Sequence, residues 1–147
     1  MQLKGSVDLK ADRERVFAFL TDPDRIGPCL PKVQSIKKLP DGRFEATARI
    51  GKGFLSATLV MVCAFTERTP PDRAAIHATG RTKGGSVDGT ARMDLRDLPD
   101  GGTAVDWTAD VTLSGLIARL AGDRVDARAQ AMVDQTFKKV RKQLKAA

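Results

Sequence analysis

The sequence predicts an α+β fold in which a curved, seven-stranded antiparallel sheet surrounds one long C-terminal helix, with two short helices after the first strand. Three observations predict it. Strand patterns separated by turn residues follow one another from Val33 to Leu113. A proline-free stretch of helical periodicity then runs from Ser114 to about Leu144. And the inward row of strand after strand is alanine or glycine where a filled core would carry leucine or isoleucine. Between Ser86 and Leu95, Val87, Gly89, Ala91, Met93 and Leu95 alternate with Ser86, Asp88, Thr90, Arg92 and Asp94, the mark of a strand with one face inside and one in water. Ala46, Ala48, Ala57, Ala78, Gly80 and Ala109 join the same side. Such a sheet is not filled by its own side chains, so a ligand cavity is expected between sheet and helix.

Each element has its own signal. Leu3, Gly5, Val7 and Leu9 alternate with Lys4, Ser6 and Asp8 as a first strand. Ala11 to Leu20 carries Val16, Phe17, Phe19 and Leu20 at helical spacing, with Asp12 as its N-cap and a break at Thr21-Asp22-Pro23. Asp24 to Leu30 reads as a second short helix, ended by Pro28 and Pro31. Strands at Val33–Leu39 and Phe44–Ile50 flank Pro40-Asp41-Gly42, a turn by composition, and Gly51-Lys52-Gly53 closes the next hairpin. The remaining strands are Leu55–Thr66, Ala74–Arg81, Ser86–Asp97 and Thr103–Leu113. Ser114 caps a roughly 30-residue helix about 45 Å long, on which Ala118, Ala121, Gly122, Val125, Ala129, Met132, Val133, Thr136 and Val140 share one face. That face is small in its first half and bulkier in its second, so packing is firm at one end and open at the other. A sheet of this size must curl to hide its apolar face, and the long helix is the element able to plug it. The arrangement is a helix grip.

At 147 residues the chain is read as one domain, 1–147, able to bury a core without staples. No stretch approaches the roughly 20 apolar residues of a membrane span, and Met1 to Gly5 leads into a strand without a signal-peptide core, so a cytoplasmic location is expected. Cys29 and Cys63 lie in different elements and read as small buried hydrophobes. The net charge of +7 is uneven: residues 137–147 carry Lys138, Lys139, Arg141, Lys142 and Lys145 and no acid, which suits an anionic partner or simply complements the helix dipole.

Little here supports catalysis. His77 is the only histidine and, between Ile76 and Ala78, belongs to the outward row. One histidine and two separated cysteines do not make a metal site. Asp88, Asp94, Asp106 and Asp110 fall on the polar face, so no buried acid–base pair is proposed. The Gly51-Lys52-Gly53 segment lacks the third glycine of a dinucleotide loop and precedes a strand where a helix is needed. With aromatics at 5%, and Phe137 alone beside the basic tract, stacking on bases has no platform and nucleic acid is not expected.

The candidate functional residues are apolar. Trp107, in the row of Val105, Ala109 and Val111, projects inward, where it can stack on a planar ring or fill core. Phe54 and Leu55 flank a hairpin at a cavity mouth. Ligand contact is expected from Leu30, Phe54, Leu55, Ala57, Leu59, Met61, Ala78, Val87, Gly89, Met93, Trp107, Ala109, Ile117, Leu120, Ala121 and Val125. Leu116, Ile117 and Leu120, with Leu30 and Pro31, form an apolar lip beside Arg119, Arg124 and Arg128. Pro31, Leu116 and the three arginines are the expected contacts to an anionic bilayer or a partner; a homodimer would cover the same patch.

The stretch LKGSVDLKADRERVFAFLTDPDRIGPCLP resembles the opening of the carbon monoxide dehydrogenase G-subunit family, within the START/Bet v 1-like (SRPBCC) superfamily. GKGFLSATLVMVCAFTERTPP, GRTKGGSVDGTARMDL and AGDRVDARAQAMVDQTF match further on, in the same order, over Met1 to about Phe137. Phe17 stands where the family often has Trp, and Lys32-Val33 where a Gly is usual. The resemblance implies an accessory protein of molybdenum hydroxylases such as carbon monoxide dehydrogenase. It would bind a quinone of menaquinone or ubiquinone type, or a similar lipid, without catalysis or a metal or covalent cofactor. It would carry that cargo between the inner face of the membrane and the enzyme. Two alternatives stay open: a recruitment or assembly factor without cargo, and a polyketide-cyclase-like enzyme, which would need polar groups inside the cavity.

Overall fold

The structure, a computed structural model, describes residues 1–146, and of Lys52, Leu55 and Ala146 only the backbone. Seven strands form one antiparallel sheet in the order β1-β7-β6-β5-β4-β3-β2. They are β1 (Gln2–Leu9), β2 (Val33–Lys38), β3 (Phe44–Lys52), β4 (Leu55–Thr69), β5 (Arg73–Thr82), β6 (Gly85–Asp97) and β7 (Thr103–Gly115). Between β1 and β2 lie α1 (Arg13–Leu20), α2 (Pro23–Ile26) and a 3-10 turn at Gly27–Cys29. Asp12 caps α1 as expected, its carboxylate accepting from the Arg15 amide at 2.8 Å. Asp41 accepts from the Arg43 amide at 3.1 Å in the β2–β3 turn, where Gly42 takes φ +87°.

The register fixes one inner face. Ala46 pairs with Met61, Met61 with Gly80, Gly80 with Val87 and Val87 with Leu113. Ala78 pairs with Gly89, Ile76 with Ala91, and Ala91 with Ala109, which also faces Leu3. The expected inward rows are therefore the rows of one surface. The register shifts between Val33 and Ser35 on β2, and a β-bulge between Phe65 and Glu67 turns Arg68 to the same side as its partner Ala74.

The single long helix expected from Ser114 is two helices. Ser114 remains in β7; α3 spans Leu116–Ala121 and α4 spans Val125–Ala146. The breaks need no proline. Gly115 and Gly122 take φ of +65° and +72°, a region that glycine enters without steric cost, and Arg124 follows at +63°. A side chain at Gly115 would collide with the Gly84 carbonyl. Across the second break, Arg128 Nη1 donates to the Ala121 carbonyl at 2.8 Å, satisfying an orphan acceptor at the end of α3.

Two apolar clusters hold the fold. One joins Leu9, Val16, Phe17, Phe19, Cys29, Leu95 and Val105 to Val140 and Leu144 of α4. The other, on β3 and β4, is Phe44, Ala46 and Cys63, with Met61, Phe65, Ile76 and Ala78 packed against it. Thr103, fully buried, donates its hydroxyl to the Ala11 carbonyl at 2.7 Å and ties β7 to the start of α1.

Candidate functional site

The inner face of the sheet is covered at two ends and open between them. At one end α3 caps the strands: Ile117 is 2% exposed and lies against Gly85, where a Cβ would sit 2.8 Å from the Ile117 amide nitrogen. At the other, the second half of α4 packs with α1 through Val140 and Leu144. The first half of α4 joins neither cluster. Val125, Ala129, Met132 and Val133 share its inward face and are half-buried, yet pack into neither core. Ala91 is exposed to solvent although it sits in the middle of the sheet, paired on both sides. Ala91 also borders a groove that lies over Thr90 and Arg92. Ile76, Ala78, Gly89, Ala109 and Val111 around it are half-buried. This is an apolar hollow that no side chain among the described residues is seen to fill.

Some small residues of the inner row are not gaps. The Trp107 indole lies over Gly5, and the Met61 side chain lies over Gly80 within 2.9 Å of where a Cβ would stand. At Gly89 the nearest atom to such a Cβ is 3.5 Å away, ordinary contact only. The open floor is thus centred on Gly89 and Ala91, between the Met61 and Trp107 walls.

Of the residues expected to touch a ligand, Met61, Ala78, Val87, Gly89, Met93, Trp107 and Ala109 share this face, and Ala57 extends it along β4. Met93 packs on the larger cluster at its lower edge. Leu59, at 3% exposed, and Ile117 are packing beneath α3. Leu120, Ala121 and Val125 flank the helix break and are half-buried. Leu30 and Pro31 are half-buried in the turn before β2, beside Lys32, whose carbonyl accepts from the Arg49 amide at 3.0 Å. Phe54 does not line the hollow: it stands at the hairpin tip, 95% exposed. The Leu55 side chain lies outside the described residues. Arg119, Arg124 and Arg128 are exposed around α3, with Leu116 at 37%.

Sequence reasoning missed Arg68. Its guanidinium lies 5.2 Å from the centroid of the Phe65 ring and donates to the Thr21 hydroxyl at 3.3 Å. Strict alternation puts Arg68 outside; the signal for the bulge is the polar run Thr66-Glu67-Arg68, which two-residue periodicity does not explain. Ile76, Val111, Ala129 and Met132 also belong to the walls.

The chemistry on offer is apolar. Burial raises the Cys63 thiol to about 11, leaving it neutral. His77 is on the outer face, Nε2 3.1 Å from an Asp88 oxygen. Among the described residues no three His, Cys, Asp or Glu side chains gather as a metal site. The groove, of about 650 Å³, runs over Lys4, Thr66, Ala75, Thr90, Arg92 and Thr108 of the outer rows, and Ile76, Ala91 and Ala109 also border it.

An antiparallel sheet gripping a C-terminal helix around an apolar hollow defines a START/Bet v 1-like domain. Solved structures share the fold over nearly their whole length. A conserved protein from Geobacillus kaustophilus superposes with a TM-score of 0.88 at 22% identity, covering 99% of this chain and 96% of that one. A protein from Thermus thermophilus gives 0.72 at 16%, covering 99% and 98%. A START superfamily protein from Mycobacterium smegmatis gives 0.66 at 14%, covering 97% and 98%. Comparison with curated proteins finds no match. The family model for the carbon monoxide dehydrogenase G-subunit (CoxG) matches residues 5–145, and the chain belongs to that family.

Proposed function

We propose that this protein is a non-catalytic carrier of a quinone, of menaquinone or ubiquinone type, or of a similar lipid. It takes the cargo up at the inner face of the cell membrane and delivers it to a molybdenum hydroxylase of the carbon monoxide dehydrogenase type. The observation that carries the reading is a row of small residues, Gly89 with the exposed Ala91 beside it, left uncovered between Met61 over Gly80 and Trp107 over Gly5. Covering that floor with an apolar ligand gains roughly 25 cal/mol per Å² without a polar contact. The Trp107 ring supplies a flat face for a planar headgroup. Its family membership supports the enzyme partner. Among the described residues no helix is long and apolar enough to cross a membrane, so exchange with lipid on this reading is peripheral.

Native mass spectrometry of protein purified from its own host, followed by solvent extraction, tests the carrier. A quinone near one equivalent supports it and names the cargo. Protein that is empty and also takes up neither menaquinone nor ubiquinone from detergent overturns it, in favour of a recruiter of the dehydrogenase that works without cargo.

A further inference from the structure

The molecule is electrically and chemically two-ended. Many of its ion pairs gather towards the α1 end: Arg13 with Asp72 and Asp97, Lys38 with Asp24, Arg43 with Asp41, and Arg73 and Arg92 with Glu67. The α3 end is different. There the register brings together the β3–β4 hairpin, in which Gly51 pairs with Ser56, the β5–β6 turn, in which Thr82 pairs with Gly85, and the start of α3 after Gly115. Arg81, Lys83, Arg119 and Arg124 are exposed at this end without a carboxylate partner among the described residues. Asp123 and Asp126 lie in the same region but neutralise only part of the excess.

Phe54 projects from this basic end, and Leu116 lies on it. The hairpin that carries Phe54 is braced. Arg49 Nη2 donates to the Ser56 hydroxyl at 2.7 Å, and Ser56 donates to the Gly53 carbonyl at 2.7 Å. A rigid turn therefore holds a phenyl ring in water, where it gains nothing for the fold. The basic tract of α4 is at the opposite end, where Val140 and Leu144 pack with α1, and among the described residues no exposed large hydrophobic side chain stands beside it.

We infer that the α3 end is the membrane-docking face, with Phe54 as the residue that enters an anionic bilayer and the unpaired cations as its headgroup contacts. A single ring on a protruding tip fits a fluid interface, into which side chains sink about 5–10 Å. Each nearby cation adds attraction to anionic lipid. The inference rests on the carrier reading for its purpose, and its geometry stands apart from any cargo.

Co-sedimentation with vesicles tests it, using equal parts phosphatidylcholine and phosphatidylglycerol, and phosphatidylcholine alone. The protein should bind the anionic vesicles. Phe54→Ser should weaken binding about tenfold, and Arg119→Gln with Arg124→Gln by a similar factor. Lys138→Gln with Lys142→Gln, at the other end, should leave binding within about twofold. Absence of binding by the unaltered protein overturns the inference, as does binding lost only in the tail variant. Binding that needs the arginines but not Phe54 overturns it too, pointing to charge-only contact with an acidic partner. Quinone uptake from detergent, measured on the same proteins, keeps the two readings apart. Uptake retained by Phe54→Ser places its defect in docking, and uptake absent from every protein overturns the carrier while the vesicle result stands.

Discussion

Gly5 and Trp107 are cross-strand partners on β1 and β7, and the indole of one occupies the space above the other: a Cβ at Gly5 would lie 2.8 Å from Cζ2. The glycine is what lets the tryptophan lie flat along the wall of the hollow. Gly5→Ala should therefore lift the ring, at a cost of about 1–3 kcal/mol for overpacking. Thermal unfolding checks the cost. Trp107, the chain's one tryptophan, reports the displacement directly through its emission maximum. An unchanged spectrum and melting temperature would show that the ring does not need the gap.

Filling the floor should separate binding from folding. Ala91 already faces solvent, so Ala91→Phe asks no core residue to move and should change stability by less than about 1 kcal/mol. The same substitution places a ring where the cargo is proposed to lie. The expected result is a native circular dichroism spectrum with quinone uptake from detergent lost. Full uptake by this variant would place the ligand elsewhere.

Gly122 sets the angle between α3 and α4. At φ +72° and ψ −167° it occupies a region essentially closed to side chains, so Gly122→Ala should cost about 1–3 kcal/mol. Arg128→Ala removes the bond to the Ala121 carbonyl but leaves that exposed acceptor to water, and should cost under about 1 kcal/mol. Urea unfolding of the two variants checks the order; a larger loss for Arg128→Ala contradicts it.

Cys63 should be a silent thiol. Burial raises it from 9.0 to about 11, so the fold favours the neutral form. Its contribution to stability is whole below pH 9 and is lost as pH rises from about 9 towards 11, because the unfolded chain gives up the proton first. Cys29 is shifted upward for the same reason, with Lys139 opposing it. Thiol titration at neutral pH should be slow in the folded protein and prompt in urea. Equal rates in both would put the thiol in water.

Most of the architecture was legible because period-two alternation runs through most of the inner face, and the turns carry Gly, Pro and Asp where the backbone requires them. What alternation cannot report is where it stops. The bulge after Phe65 reverses Arg68, and the left-handed glycines at 115 and 122 divide a helix whose side-chain periodicity reads straight through them. The site was legible as a row and not as a volume. Sequence identifies Gly5, Gly80, Gly89 and Ala91 as small, but only the cross-strand register shows that Trp107 and Met61 cover the first two and leave the last two bare. Phe54 was misplaced for a related reason, since apolar character at a hairpin does not say which way the tip points.

The divided helix changes what sets the capacity of the hollow. With α3 seated on the strand ends through Ile117 and the far half of α4 fastened through Val140 and Leu144, the wall between Val125 and Thr136 is a span held at both ends. Its distance from the sheet follows from backbone angles at residues 122–124 rather than from the bulk of any lining side chain. On the proposed carrier reading, the size of cargo admitted is a property of a joint, adjustable without rewriting a single strand.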